Sequence, residues 1–222
     1  MKLTIFAATG GIGRLVLAQA LEAGHEVTAV ARRPEAVTLS PARVVAADLA
    51  TVEPEALVPA VAGADAVLSG LGGRSRRDTD VATRGTEAIV TAMRTAGVAR
   101  ILVVSAAPVG TVASPARPDK PRRDPGDGPL MRYLLGPAVK AALAGHYADL
   151  ARMEDVLRAS GLDWTIVRPP RLTNGPLTAS YRTAFGRNLR GGGSVSRQDV
   201  AHYLLRGVDD PGSVRQTVGI AR

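Results

Sequence analysis

The feature that most constrains this chain is a rhythm. Short, continuously apolar runs alternate with segments whose apolar residues recur at helical spacing. The runs 2–8, 26–31, 43–47, 65–71 and 100–105 lack the in–out alternation of a half-exposed strand. Strands buried on both faces read this way, and parallel sheets are built from them. Between the runs, Ile12, Leu15, Val16 and Ala20 recur at helical spacing until Gly24 stops the helix. Pro54–Val61 makes a short helix, and Val81–Ala96 a longer one closed by Gly97. Strand–helix alternation with short connections predicts an α/β fold, a doubly wound parallel sheet in three layers, formed as a single domain over residues 1–222.

The rhythm breaks once. Residues 108–137 hold seven of the fifteen prolines, with Gly126 and Gly128 among them. The alternation resumes afterwards, so this is an insertion and not a linker. A long irregular segment inside a compact domain is expected to be either a lid beside the site or a disordered surface loop. A long helix follows over 138–160, with a break allowed at Gly145 and a stop at Gly161. "DWTIVRPP" reads as a sixth strand, 172–193 as irregular, 198–205 as a helix opened by Ser196 with Asp199 in its first turn, and 215–220 as a last strand.

Composition narrows the function classes. There is no cysteine, which excludes disulfides, thiolate metal sites and a cysteine nucleophile. His25, His146 and His202 form no ligand cluster by spacing, so no metal is expected. No apolar run approaches the roughly 20 residues that span a bilayer. The N-terminal run is cut at Gly10 and Gly11 and followed by Arg14; it reads as strand–turn–helix, and a cytoplasmic protein without a membrane partner is expected. The net charge of +8 invites nucleic acid. However, 25 arginines against 3 lysines are scattered along the chain, and aromatics are only 3%. The one basic cluster, Arg117, Lys120, Arg122 and Arg123, sits among prolines beside Asp119. A phosphate-bearing cofactor accounts for the charge as well, and no nucleic-acid partner is expected. Nothing fixes the oligomeric state.

The stretch "TIFAATGGIG" carries the first chemical motif. Glycines after a first strand let the chain turn tightly, let backbone N–H groups reach a pyrophosphate, and let the helix pack on the sheet. Thr9, Gly10, Gly11, Ile12 and Gly13 form this turn, and Ala7 takes the first glycine position. A methyl is tolerable there if φ stays negative. The rival is a glycine turn with no ligand. The second strand ends in "ARRPE". Arg32 and Arg33 stand where NAD-binding proteins carry a ribose-binding acid, and a guanidinium fork suits a 2′-phosphate. NADP(H) is therefore expected as cofactor, unless these are two surface arginines in an arginine-rich chain. Asp48 can bond the adenine amino group and Leu49 can cover the ring, or Asp48 can cap the next helix. Small residues at 69–73, with Leu71 and Gly72 among them, let a ribose approach the backbone. Ser105 follows Val104 at the end of the fifth strand, where open sheets bind ligands. Three roles are open to it: a bond to substrate, a bond to the nicotinamide carboxamide, or a strand cap.

A negative result is as informative. Carbonyl-reducing short-chain dehydrogenases carry Tyr-x-x-x-Lys. Four residues after Tyr133, Tyr147, Tyr181 and Tyr203 stand Pro137, Ala151, Phe185 and Gly207, so that pair is missing.

"FAATGGIG", "ARRPE", "VVAADL", "VLSGLGG", "ILVVSAA", "RMEDVLRASGLDWTIVRPPRLTNGPLTASY" and "SVSRQDVAHYLL" together resemble the atypical short-chain dehydrogenases/reductases with an NmrA-like NAD(P)H-binding domain, and among them the biliverdin-IXβ and flavin reductases. The likeness covers nearly the whole chain outside 111–149. It implies a Rossmann-type domain that binds NADPH and passes hydride to a planar acceptor. It also implies that Ser105 lies near the nicotinamide and the acceptor, that Arg32 meets the 2′-phosphate, and that 167–171, with Arg168, Pro169 and Pro170, lines the nicotinamide side. Arg171 and Glu154 each stand where those reductases have a histidine, and 108–137 is rewritten. These departures bear on a tetrapyrrole substrate more than on the cofactor. The expected function is reduction of a flavin, quinone or tetrapyrrole-like acceptor, with Ser105 and Arg171 as catalytic candidates and Arg171 placed to stabilise developing negative charge. The alternative is a non-enzymatic NADP(H)-sensing regulator, which NmrA-like proteins can be. An epimerase-like use of the cofactor lacks a visible acid/base pair.

Overall fold

In the computed structural model the described residues are 1–39, 42–72, 80–126 and 142–222. Six strands, β1 (Lys2–Phe6), β2 (Glu26–Ala31), β3 (Ala42–Ala46), β4 (Ala66–Ser69), β5 (Arg100–Val104) and β6 (Asp163–Arg168), run parallel in the order β3-β2-β1-β4-β5-β6. β7 (Arg171–Thr173) and β9 (Ser194–Ser196) form a separate parallel pair, β8 (Arg182–Phe185) is an antiparallel edge, and β10 (Gln216–Ala221) joins it to β6. This is the Rossmann-type doubly wound sheet expected from the rhythm.

The apolar runs are continuous because each strand feeds two cores. In β5, Ile101 and Val103 enter the core under α2 (Pro54–Val61), α3 (Val81–Ala96) and α4 (Ala144–Ala159). Leu102 and Val104 enter the opposite core under α1 (Gly13–Glu22) and α5 (Arg197–Arg206). Successive side chains of a strand point to opposite faces, so a strand covered on both sides has no polar face to show. β3 departs from the expectation. As an edge strand it is largely exposed, and Val44 keeps 37% of its surface.

Two side-chain clusters fix the helices that border the site. The buried Asp149 of α4 accepts from the backbone N–H groups of Ala82 (2.9 Å) and Thr83 (3.0 Å) and from Thr83 Oγ1 (2.6 Å). It thus caps α3 from another helix, and Arg152 of α4 adds an ion pair to Asp80. At α5, Ser196 Oγ accepts from the Asp199 N–H (2.9 Å), while Asp199 accepts from Thr178 N (2.8 Å) and Ala179 N (2.9 Å). Gln19 Nε2 of α1 donates to Gln198 Oε1 (2.9 Å), tying the two helices of that face together.

One expectation needs correction, and two fall partly outside the described residues. The stretch 172–193 is not irregular throughout, since it contains most of β7 and all of β8. β8 pairs on one side only, through its backbone, and its sequence Arg-Thr-Ala-Phe carries no apolar run to announce it. The helix expected over 138–160 has described residues only from 142, and α4 runs through Gly145 without a break. In the insertion, 108–126 is packed down: Ser114 Oγ donates to Asp155 Oδ1 of α4 (3.0 Å), and Asp124 accepts from Asn188 N (3.0 Å). Residues 127–137, and Gly73 of the glycine-rich strand end, lie outside the described residues.

Candidate functional site

The C-terminal ends of β1, β2, β4 and β5 open on a cleft of about 330 Å³. The winding reverses between β1 and β4, and open α/β sheets hold ligands at such a reversal. Thr9, Gly10, Gly11, Ile12, Arg32, Arg33, Asp48, Leu49, Leu71, Gly72, Val104 and Ser105, all expected from the sequence, line it together.

The phosphate turn is built backbone against backbone. A Cβ on Gly13 would lie 2.2 Å from the Ala7 carbonyl oxygen, and one on Gly70 would lie 3.1 Å from Gly13 N. Gly13 therefore does not line the cleft; it lets α1 sit close to the sheet. α1 begins with no side-chain cap and no acid in its first turn, so its N-terminal N–H groups and dipole suit an anion. Ala7 corrects the expectation of a negative φ: its φ is +54°. Its carbonyl must accept from Gly10 N (2.7 Å) and face Gly13, and that orientation demands left-handed backbone at about 1–2 kcal/mol for an L-residue.

At the β2 end, Arg32 and Arg33 are exposed and ion-paired to no carboxylate among the described residues. Asp48 does not cap α2, whose N-cap is Glu53; its Oδ1 accepts from Ala50 N (3.1 Å) in a local turn. Gly85 of α3 lets Leu49 and Leu71 close over this end, since a Cβ there would lie 2.5 Å from Leu71 and 3.1 Å from Leu49.

The β5 end is built from side chains. Ser105 Oγ donates to Glu154 Oε1 (2.8 Å), and Glu154 is fully buried. Arg168 donates through Nε to Glu154 Oε1 (2.7 Å) and through Nη2 to Oε2 (2.5 Å), and Arg158 Nη1 donates to Oε2 (3.0 Å). Burial alone would push the Glu154 carboxyl up, but the paired guanidiniums and the Ser105 hydroxyl hold it below its ordinary value. Arg168, expected on the cofactor, thus turns inward to a carboxylate. Pro169 is buried and its carbonyl accepts from Ala107 N (2.9 Å). Pro170 and the exposed Arg171 of β7 also stand apart from the cleft lining.

Among the lining residues that escaped the sequence reading are His146, Leu150, Leu172 and Arg197. Arg197 leans over the phosphate turn, its Nε 3.2 Å from where a Gly11 Cβ would be, and Asn174 Oδ1 accepts from its Nη1 (2.7 Å). The available signal was a cation in the first turn of a helix, where the macrodipole disfavours it. His146 sits near Gly72, and burial pushes its imidazole below the ordinary histidine value.

Residues 7–211 match the model of a family described as NAD(P)H-binding. An uncharacterized sugar epimerase, YhfK, of Bacillus subtilis (strain 168) is 31% identical over 217 residues, covering 95% of this chain and 89% of its own. ChuY, an anaerobillin reductase from Escherichia coli O157:H7, has the same fold with a TM-score of 0.76 at 22% identity, over 100% of this chain and 97% of that one. A short-chain dehydrogenase/reductase from Veillonella parvula DSM 2008, solved in complex with NADP, gives a TM-score of 0.74 at 21% identity, over 100% and 94%.

Proposed function

The chain belongs to the NAD(P)H-binding family, and from that premise we propose that it is an NADPH-dependent oxidoreductase whose hydride acceptor is a flat conjugated molecule of the flavin, quinone or tetrapyrrole kind. The observation that carries this reading is the lining of the β5 end: aliphatic Val104, Leu150 and Leu172, the polar Ser105 and His146, and, among the described residues, no tyrosine or lysine. Such a wall suits a planar ring and lacks the acid pair that carbonyl reduction uses.

Bound in the cleft, NADPH supplies the hydride. The protein's own groups hold and shield it. The uncapped N-terminus of α1 and Arg197 take the pyrophosphate, and Arg32 and Arg33 take the 2′-phosphate. Asp48 and Leu49 take the adenine, and Leu71 and Gly72 take a ribose. Val104, Leu150 and Leu172 exclude water, so the contribution is mainly proximity and orientation. A conjugated acceptor spreads the incoming charge and draws its proton from water, so a tyrosine acid is dispensable. That an anaerobillin reductase shares the fold supports this reading. The epimerase name of the Bacillus relative supports it less, because returning a hydride to a sugar also needs a base on the sugar hydroxyl, and the Tyr-x-x-x-Lys pair that supplies one is missing.

The test is to mix the protein with NADPH and FMN, then with a naphthoquinone, and follow the nicotinamide absorbance band. Oxidation that falls on Ser105→Ala is the expected result. Tight NADPH binding without oxidation across a panel of flat acceptors would instead make the protein an NADP(H) sensor.

A further inference from the structure

Ser105 has one hydroxyl proton, and the structure shows where it goes. Its Oγ lies 2.8 Å from Glu154 Oε1, inside a cluster in which Arg168 grips both carboxylate oxygens and Arg158 adds a third donor. Glu154 has no exposed surface, and with these partners it is a carboxylate at neutral pH. A carboxylate only accepts hydrogen bonds. Ser105 must therefore donate to Glu154, and what it turns to the cleft is lone pairs.

The direction of the cleft says which ligand group meets them. It runs from Arg32 and Asp48, past the phosphate turn, to Val104 and Ser105. A dinucleotide anchored on α1 with its adenine half over β2 and β3 carries its nicotinamide half toward β4 and β5. The N–H donors on that ring belong to its carboxamide. We propose that Ser105 is a hydrogen-bond acceptor for the nicotinamide carboxamide N–H, and that Glu154 is the positioning residue that fixes this polarity. A serine so committed cannot donate to a carbonyl oxygen of a substrate, which agrees with an acceptor that delocalises its own charge.

The inference rests on the NAD(P)H-binding reading and is independent of which acceptor takes the hydride. It is tested by equilibrium titration with two probes, NADP and its 3-acetylpyridine analogue, which keeps the ring carbonyl and lacks the amide N–H. Wild type is expected to favour NADP by about five- to tenfold, the worth of one hydrogen bond, and Ser105→Ala to bind both equally. Glu154→Gln, in whatever fraction folds, frees the serine to donate; the preference is then lost while NADP binding persists. A preference that survives in Ser105→Ala, or equal affinity in wild type, overturns the inference and leaves the cofactor reading standing. A wild type that binds neither probe overturns both.

Discussion

The two ends of the cleft are built differently. The β2 end and the phosphate turn rest on backbone geometry and on residues close together in sequence, with exposed arginines added on top. The β5 end rests on a largely buried polar cluster, Ser105–Glu154–Arg168–Arg158, whose members come from the residue after β5, from α4 and from β6. The first arrangement can lose a side chain and keep its shape. The second holds its shape through those side chains, so its chemistry and its stability are the same interactions.

The largest expected effect breaks the second end. Glu154→Gln leaves the buried Arg168 guanidinium and the partly buried Arg158 guanidinium without their carboxylate and should lower the unfolding free energy by about 3–5 kcal/mol in denaturant titration. The same cluster sets an acid limit. A carboxylate held below its ordinary value of 4.5 contributes stability that is fully present above that pH and is lost as pH falls through the lowered folded value. Wild type should therefore destabilise below pH 4.5 along a limb that Glu154→Gln lacks. A variant within about 1 kcal/mol of wild type would mean that the cluster is dispensable.

At the phosphate turn the expected effect is on binding alone. Arg197→Ala should weaken NADPH and NADH equally, by about tenfold, because the pyrophosphate is common to both. Thermal stability should barely change. Loss of NADPH affinity only would move Arg197 from the pyrophosphate to the 2′-phosphate.

The smallest effect sharpens the geometry. Ala7→Gly relieves left-handed strain of about 1–2 kcal/mol and gives back about 0.4–1 kcal/mol in unfolded-chain entropy. The net gain should raise the melting temperature by about 2 °C. A decrease would show that the methyl makes a packing contact worth more than the strain.

This division also explains what could be read in advance. The alternation of apolar runs placed the central strands along the chain because two-sided burial leaves a visible pattern. The turn was legible because Gly10 and Gly13 are required by a carbonyl six residues or fewer away, and Arg32 and Arg33 because a strand end has a defined place in such sheets. Glu154 drew notice only as a departure from the reductases, since its bonds to Ser105 and Arg168 span 49 and 14 residues and no local pattern encodes them. His146 reaches the cleft because Asp149, three residues on, anchors α4 to α3, a contact that exists only in the folded chain. β8 stayed hidden for the opposite reason: it buries too little to need an apolar run.

The cofactor assignment turns on one claim, that the β2 end of the cleft selects NADPH, and a paired titration tests it most directly. NADPH and NADH dissociation constants are measured for wild type and for the Arg32→Ala/Arg33→Ala double variant. The expected result is at least about tenfold preference for NADPH in wild type, collapsing toward unity in the variant through weaker NADPH binding with NADH unchanged. Equal affinity for the two cofactors in wild type, or a preference that the variant retains, would contradict it.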